Sequence, residues 1–290
     1  MGSRGIATLL PKGVKDQLKG WRKRLRLAYV RRWRAFGAEQ LGGALRQLGI
    51  KPADILMVHS SFDRFAGFSG KPSDVVRVLQ EAVGTQGTLL MPTMPFSGTA
   101  VDYVSRSSMF DARRTPSQMG LLTELFRRSP GVIRSVHPTH PVAAWGARAS
   151  EMLVDHHLAR TPCGAGSPFA RLLEVDGRIL LLGTDIRSAT FFHYIEEVLE
   201  PLMPVSPFTK DDFILQSCDE TGTMVTSKTR LFDPALSRRR NLLKLAPVIK
   251  DHGSWAEARL GELDMFLLEA RDMMAAAKSL AAQGVYCYES

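Results

Sequence analysis

Short apolar runs that alternate with amphipathic segments are the feature that most limits how this chain can fold. The runs at residues 55–58, 89–91 and 179–182 hold only aliphatic and Met side chains. Runs this short are typical of strands that are buried on both faces. Segments 38–48 and 74–84 instead space their apolar residues as a helix does. The alternation of strands with helices predicts an α/β fold.

The last third of the chain has a different pattern. Residues 213–230 have β-rich flanks around Glu220-Thr221-Gly222, which predicts a hairpin. Residues 236–253 and 264–284 are both predicted to be helical. The sequence has no internal repeat and no low-complexity linker, so we expect residues 37–290 to form one domain.

Composition sets the broad class of the protein. The 290 residues are 44% hydrophobic and 23% charged, which is ordinary for a soluble globular protein with a large core. No apolar run approaches the ~20 residues of a membrane span, and the N-terminus has no apolar signal core. The three cysteines are far apart and form no CxxC pair, which argues against a disulfide framework and against a zinc site. We therefore expect a cytoplasmic protein without a bound metal.

The net charge of +9 comes from one end of the chain. Residues 1–36 hold eleven Lys or Arg residues against a single acid, Asp16, so the rest of the chain is close to neutral. Within this arm the aromatic and leucine residues recur at spacings of three and four, which predicts a basic amphipathic helix. They are Leu18, Trp21, Leu25, Tyr29, Trp33 and Phe36. Such helices lie on anionic membrane surfaces or pack against a partner. A solvated arm that packs lightly on its own domain is the alternative, and no nucleic-acid reader motif accompanies the charge.

Two segments carry the histidines that are candidates for chemistry. Residues 134–146 contain His137 and His140 on either side of a proline, which favours a rigid loop over a helix. Residues 191–197 contain His193 and Glu196, which would lie on the same face of a helix because they are three apart. A histidine oriented by a carboxylate is a general base near neutral pH.

The end of the first strand is a candidate binding edge. His59, Ser60 and Ser61 follow the apolar run 55–58, and ligands of α/β sheets bind at the carboxyl ends of strands. Ser60 or Ser61 with His193 and Glu196 would also satisfy the roles of a Ser-His-Glu hydrolase. The sequence lacks the G-x-S-x-G elbow that exposes such a serine, which disfavours a hydrolase.

These segments together resemble the aminoglycoside 3-N-acetyltransferase family of the antibiotic N-acetyltransferase superfamily. The resemblance covers roughly residues 38–200 and rests on four motifs in the family's order. They are HSSF at 59–62, TPSQMG at 115–120, RSVHPTHPVAAWG at 134–146 and FFHYIEE at 191–197. The resemblance implies a three-layer α/β/α fold around a mixed sheet, with the hairpin and the last helices as a small C-terminal extension. It also implies acetyl transfer from acetyl-CoA to an amine of an amino sugar.

The resemblance implies a catalytic role for four residues. His193 lines up with the family's catalytic histidine and would take the proton of the attacking amine, a contribution of about 10²–10⁴-fold. Glu196 would hold its imidazole. His137 and His140 lie in a loop similar to the family's HPxxS loop and could share this duty or hold the acceptor.

The resemblance also implies which residues would lie on the side of acetyl-CoA, the acyl donor. Six residues match positions that would bind CoA or stabilise the oxyanion, and no metal is implied. They are Ser60, Ser61, Thr115, Ser117, Arg134 and Ser135. Ser117 would lie at a helix N-terminus, which attracts anions.

Two departures from the family concern the acceptor. Pro141 stands where the family's loop has a serine, so a hydroxyl and an N–H are missing from that position. Residues 228–250 carry seven Lys or Arg residues, including Arg238, Arg239 and Arg240, against Asp233 alone. A cationic rim repels a polycationic drug and attracts phosphate, which favours a nucleotide-linked amino sugar. If the three arginines are only a solvated helix face, this expectation does not hold. A catalytically quiet relative that docks at a membrane through its basic arm is a further alternative.

Overall fold

A seven-stranded mixed sheet with helices on both faces forms the centre of the structure, a computed structural model that describes residues 12–106 and 109–289. The strands are β1 (Ile55–Ser60), β2 (Thr88–Pro92), β3 (Met109–Asp111), β4 (Ile133–Arg134), β5 (Val142–Gly146), β6 (Arg178–Leu182), β7 (Phe213–Cys218), β8 (Met224–Thr229), β9 (Ala256–Leu260) and β10 (Leu263–Glu269). The α-helices are α1 (Lys12–Trp33), α2 (Ala38–Gln47), α3 (Pro72–Val83), α4 (Ala100–Val104), α5 (Leu121–Arg127), α6 (Ala149–Leu153), α7 (Pro168–Glu174), α8 (Phe192–Leu199), α9 (Pro234–Ser237), α10 (Leu245–Asp251) and α11 (Ala270–Ala282). The predicted α/β class is confirmed.

Three parallel strands in the middle of the large sheet determine where a site can form. The strand order is β4-β5-β2-β1-β6-β10-β9. Strand β1 pairs in parallel with β2 on one side and with β6 on the other, whereas β5 and β10 run antiparallel to their neighbours. The carboxyl ends of β2, β1 and β6 therefore meet at one edge of the sheet, at Pro92, Ser60 and Leu182.

Alternate residues of the central strands supply two separate cores. Leu56 packs into the core on one face, which α2, α3 and α5 cover. Its neighbour Met57 packs into the core on the other face, beneath α6, α7, α8, α10 and α11. Because successive strand residues point to opposite faces, a strand buried on both sides reads as a continuous apolar run. The predicted three-layer arrangement around a mixed sheet is confirmed.

The C-terminal third differs from the prediction in three places. The hairpin of β7 and β8 forms as expected, but it is part of a second sheet of order β3-β7-β8 that the sequence pattern did not indicate. The predicted helix 236–253 is interrupted after Ser237, because Arg240 leaves the helix to form a bridge with Tyr288. The predicted helix 264–284 was wrong in its first part. Residues up to Glu269 form β10, since they complete the central sheet beside β6.

Helix α1 contacts the body of the protein near its C-terminal end. Val30 is fully buried, and the Arg26 guanidinium donates hydrogen bonds of 2.6 and 3.1 Å to the Glu262 carboxylate. The prediction that Phe36 continues the apolar stripe was wrong. The chain has left the helix by then, and the Phe36 ring is buried with its centroid 5.5 Å from that of Phe68. None of the helices in residues 12–106 and 109–289 is both long enough and apolar enough to cross a membrane.

Candidate active site

A cavity of about 470 Å³ opens at the carboxyl ends of the central strands. His59 and Ser60 reach it from β1, Pro92 from β2, and His193 from α8, while Arg240 closes it from the C-terminal segment. The short linker from β6 to α8 turns the chain over the end of the sheet, which brings the start of α8 to this edge. The cavity therefore unites residues from at least four separate parts of the sequence.

His193 and Glu196 form the predicted pair within the first turns of α8. The His193 Nδ1 atom lies 2.8 Å from the Glu196 Oε2 atom, as the i, i+3 spacing on a helix allows. A carboxylate only accepts hydrogen bonds, so Nδ1 carries the proton and donates it to Glu196. The remaining ring nitrogen, Nε2, has a free lone pair. The His193 side chain is 18% exposed and lines the cavity.

Glu196 is a buried carboxylate that two distant residues also hold. Its side chain is 1% exposed, and its Oε1 atom accepts a 2.7 Å hydrogen bond from Arg240 Nε and a further one from the Tyr288 hydroxyl. Burial alone would raise the pKa of this carboxyl, but the Arg240 charge and the His193 and Arg240 hydrogen bonds outweigh it and lower the pKa. Glu196 is therefore ionised and fixed in orientation.

The same surroundings keep His193 neutral. Burial lowers the pKa of its imidazole, and the positive charge of Arg240 lowers it further, while Glu196 acts in the opposite direction. The net shift is below the ordinary value of 6.5. At neutral pH the ring is consequently an unprotonated acceptor, which is the form that a general base requires.

The histidines of the predicted loop lie behind this pair. The His140 ring is 5.8 Å from the His193 ring and nearly perpendicular to it, and His140 Nδ1 contacts the Thr139 hydroxyl at 2.9 Å. His137 is fully buried, and its Nδ1 atom accepts backbone N–H groups of His140 and Thr139 at 3.2 and 3.3 Å. Neither residue lines the cavity. His137 stabilises the bend of its own loop and stacks on His156 with ring centroids 4.6 Å apart.

Two residues of the site were missed by the sequence reasoning on catalysis. His59 lines the cavity with 7% exposure, and burial, with a smaller contribution from the neighbouring His193 imidazole, lowers its pKa to about 3. The signals for it were its place at the end of a strand and in the HSSF motif. Phe232 packs on His193 with a centroid distance of 4.6 Å, on His140 at 5.6 Å, and beneath the Arg240 guanidinium at 5.0 Å. No sequence pattern indicated Phe232.

The predicted donor-side residues divide into two groups. Ser60 lines the cavity, and Ser61 lines a neighbouring cavity of about 590 Å³ that shares Arg187 with it. The Ser61 N–H donates to the Leu182 carbonyl at 3.0 Å, so this amide is engaged within the sheet. Ser117 does not line the cavity. Its hydroxyl lies 2.8 Å from that of Thr123, which does line it.

Thr115, Arg134 and Ser135 are engaged inside the protein. Arg134 is 5% exposed, and its guanidinium donates to the Thr115 carbonyl at 2.6 Å and to the Thr93 hydroxyl at 2.9 Å. The Thr115 hydroxyl accepts the Asp111 N–H at 2.9 Å. Ser135 is 2% exposed, and its hydroxyl is 2.9 Å from His156 Nδ1. In this structure these side chains connect loops to one another rather than facing the cavity.

The expected rim of three arginines was wrong in part. Arg240 lines the cavity, but Arg239 donates to the Glu289 carbonyl at 2.7 and 2.9 Å, and Arg238 is exposed and is not among the lining residues. The described residues that line the cavity include the cations Arg240 and Arg187 and no carboxylate. No group of three or more potential metal ligands occurs in the part of the chain that the structure describes.

Sequence comparison identifies the relatives of this chain. A family model described as aminoglycoside 3-N-acetyltransferase matches residues 57–282. Aminoglycoside N(3)-acetyltransferase VII of Streptomyces paromomycinus is 32% identical over 174 residues, which cover 56% of this chain and 60% of the relative. The chain thus spans about 60% of the length of this curated relative.

Solved structures extend the likeness over most of the chain. Aminoglycoside acetyltransferase AAC(3)-IVa, in complex with a gentamicin, is 26% identical with a TM-score of 0.73, covering 88% of this chain and 92% of its own. AAC-IIIb, in a binary complex with CoASH, is 21% identical with a TM-score of 0.71, covering 88% and 99%, and this likeness concerns the fold alone. The region that the family model matches includes the end of β1, α8 and the Arg240 segment, which together build the cavity. On these grounds the chain belongs to the aminoglycoside 3-N-acetyltransferase family.

Proposed function

We propose that this protein is an acetyl-CoA-dependent N-acetyltransferase of amino sugars, with His193 as the general base. The observation that carries the proposal is the 2.8 Å contact from His193 Nδ1 to Glu196, which leaves Nε2 free at the wall of the cavity. Membership of the family supports the reaction type, and a relative of the same fold was solved with CoASH. Acetyl-CoA is the proposed cosubstrate.

The proposed reaction moves one proton through His193. The acceptor amine attacks the thioester carbonyl carbon, and Nε2 takes a proton from the amine as the new C–N bond forms. When the C–S bond breaks, the imidazolium returns this proton to the departing thiolate of CoA. Glu196 stabilises the transient imidazolium by accepting the Nδ1–H throughout. Because Arg240 and Tyr288 fix the other oxygen of Glu196, the imidazole is held in one orientation during both steps.

The tetrahedral oxyanion needs a hydrogen-bond donor close to the thioester. The Ser60 hydroxyl is our candidate, because it lines the same cavity as His193 whereas the Ser61 amide is engaged with Leu182. Arg187 and Arg240 offer cations for phosphate groups at the cavity.

Two alternatives fit the geometry less well. A Ser-His-Glu hydrolase requires a hydrogen bond from the serine to the histidine, and among the described residues neither Ser60 nor Ser61 makes one with His193. A catalytically quiet relative would have no reason to keep a buried carboxylate aligned with a histidine at the cavity wall. Burying the Glu196 carboxylate costs desolvation free energy unless the carboxylate is fully paired, and a buried charge of this kind is typical of a functional site.

For the acceptor, we propose an amino sugar that carries negative charge, such as one linked to a nucleoside diphosphate. The cavity's described lining has two arginines and no carboxylate, so a polycationic drug would find no acidic side chain to bind there. None of Asp185, Glu197 and Asp111 lines the cavity. Asp185 pairs with Arg187, Glu197 is bonded to Thr161, and Asp111 accepts from the backbone of its own turn. A gentamicin-type acceptor, as in the complex of the solved relative, remains the alternative.

Release of free CoA thiol with a panel of acceptors tests both the proposed acetyl transfer and the proposed acceptor. Acetyl-CoA would be offered with nucleotide-linked amino sugars, with uncharged amino sugars and with gentamicin-type aminoglycosides. We expect the highest kcat/KM for the nucleotide-linked sugars. Turnover of aminoglycosides alone would keep the reaction and refute the anionic acceptor. If no amine in the panel releases thiol although acetyl-CoA binds, the quiet relative is correct instead.

The compartment is part of the same proposal. The three cysteines, Cys163, Cys218 and Cys287, are all free thiols. Free thiols are typical of a reducing compartment, which supports a cytoplasmic enzyme. Contact between the basic arm and a membrane surface is a separate proposal, because it depends on a different part of the molecule.

A further inference from the structure

Helix α1 exposes a continuous row of aromatic and leucine side chains. The row is Leu18, Trp21, Leu25, Tyr29 and Trp33. Their spacings of three and four place them along one side of the helix. Their exposed fractions run from 42% at Leu18 to 70% at Trp33. Contiguous exposed apolar surface of this kind marks an interaction site in a folded protein. We call this row the α1 stripe.

A different side of α1 holds the helix against the protein. Val30 is fully buried, Leu27 is half-buried, and Arg26 pairs with Glu262 at 2.6 Å. These three residues fall outside the α1 stripe. The helix is therefore attached to the body while its stripe remains available. Over its 22 residues α1 is about 33 Å long, so the stripe offers an extended contact surface.

Arginines accompany the stripe. Arg22, Arg24 and Arg32 are exposed on α1, and the Arg32 guanidinium lies over the Trp33 ring at 5.6 Å. The helix carries one acid, Asp16. A partner of this surface must therefore cover aromatic and leucine side chains with apolar groups, and it must also carry negative charge to pair with the arginines. Helices with this combination lie in the headgroup region of membranes, with cations on the lipid phosphates.

We propose that α1 docks the protein on the surface of an anionic membrane, with the α1 stripe inserted between headgroups. A second copy of the chain is a poor occupant, because each copy would bring its own cluster of basic residues to the interface. Nucleic acid would satisfy the arginines but leave Trp21 and Leu25 in water. A lipid surface satisfies both. This surface is separate from the cavity, so the proposal does not depend on the catalytic function.

Vesicle binding by the full-length protein tests the proposal. Cosedimentation and Trp fluorescence would be compared on vesicles of phosphatidylglycerol with phosphatidylcholine and on vesicles of phosphatidylcholine alone. We expect binding to the anionic vesicles, a blue shift from Trp21 and Trp33, and loss of binding as salt shortens the Debye length from about 10 Å at 0.1 M to about 3 Å at 1 M. Equal binding to both kinds of vesicle, or to neither, would overturn the proposal.

Paired variants separate the two contributions. Trp21→Glu with Leu25→Glu alters the stripe, and Arg22→Glu with Arg24→Glu alters the charge. Each pair should reduce partition to anionic vesicles at least about tenfold. The matched control is Ile214→Glu with Met224→Glu, two exposed apolar residues on the β7-β8 hairpin.

The control pair should leave vesicle binding unchanged, and thermal unfolding should be close to that of the wild type for all three variants. A control pair that loses binding as strongly as the stripe pair would contradict the proposal. So would stripe-dependent self-association without lipid binding, or binding to duplex DNA that outlasts the loss of the stripe.

Discussion

The two histidine segments, the HPTH loop and the start of α8, carry similar residues but have different surroundings. In α8, His193 has one nitrogen bonded to Glu196 and the other free at the cavity. In the loop, His137 accepts two backbone N–H groups and His140 contacts Thr139, and both rings lie behind the cavity wall. One segment presents a free imidazole nitrogen to the cavity, whereas the other holds its own backbone in place.

This difference shows what makes a histidine suitable for proton transfer. His137 and His140 are buried and His193 is half-buried, and burial is the main cause that lowers the pKa of all three rings below 6.5. Neutrality therefore does not distinguish them. What distinguishes His193 is a carboxylate partner that stabilises the charged ring, together with access to the cavity.

The largest effect is expected from His193→Ala. Removing the proposed base should lower kcat by about 10²–10⁴-fold, since the amine would have to lose its proton to water. Affinity for acetyl-CoA should stay close to that of the wild type, because the base acts on the acceptor. Steady-state thiol release and calorimetry with acetyl-CoA measure the two quantities.

Two other alanine variants sharpen this test. His252→Ala removes an exposed histidine outside the cavity and should be kinetically silent. His140→Ala should lower kcat less than His193→Ala does, because its ring contacts the base without facing the ligand. A larger loss for His140→Ala would mean that the base belongs to the loop.

Glu196→Gln should cost nearly as much as removing the base. Arginine only donates hydrogen bonds, so the Gln oxygen must face Arg240 and the Gln NH₂ group must face His193 Nδ1. That NH₂ group would force the proton of the ring onto Nε2, which is the wrong tautomer for a base. A loss of kcat on the order of 10²-fold or more follows.

A double variant tests whether Arg240 orients the side chain of residue 196. When Arg240→Met accompanies Glu196→Gln, the amide is free to turn its oxygen towards His193. The double variant should therefore be faster than Glu196→Gln alone, which a purely structural role of Arg240 would not produce. If the double variant is slower, Arg240 does not determine the orientation of residue 196.

Much of the fold and part of the site could be predicted from the sequence, because they follow from local patterns. Contacts between residues that are far apart along the chain could not be predicted. The buried strands β1, β2 and β6 and the pair His193 and Glu196 are local patterns, since a spacing of three on a helix fixes the contact. Strand β10 was predicted as helix because its apolar residues join those of α11 without a break. Only the sheet partner β6 decides the matter.

The rest of the site depends on contacts that no local pattern contains. Arg240 is 44 residues from Glu196 in the sequence, and Tyr288 is 92 residues away. The run of three arginines predicted a charged rim, but tertiary packing brings only Arg240 to the cavity lining and leaves its two neighbours exposed outside it. Likewise Arg134 and Ser135 were assigned from a motif, and the structure engages their side chains with Thr115 and His156.

His137→Asn is expected to alter stability without altering kcat. The Asn Oδ1 atom can replace Nδ1 as acceptor of the loop N–H groups, but it does not titrate. The lowered pKa of His137 means that the unfolded chain binds a proton more readily, so its contribution to stability is present above about pH 6.5 and is lost as pH falls below it. Each such histidine lowers the free energy of unfolding by up to about 1.4 kcal/mol for each unit that the pH falls below this value. Urea unfolding at about pH 7 and pH 5 should show a smaller acid loss for the variant. A fall in kcat comparable to that of His193→Ala would place His137 in the chemistry.

The smallest effect is a shift in the pH profile of Arg240→Met. The positive charge of Arg240 lowers the pKa of His193, second only to burial. Without this charge the imidazolium is more stable, since Glu196 still attracts it, so the pKa of His193 rises. The base is active when neutral, and the acid limb of kcat/KM should therefore move to higher pH, while the plateau above it changes less. The rate profile from about pH 5 to pH 9 measures the limb, and Arg238→Met, an exposed neighbour outside the cavity lining, is the control. A limb that moves to lower pH, or that moves equally in Arg238→Met, would show that Arg240 does not act on His193 through its charge.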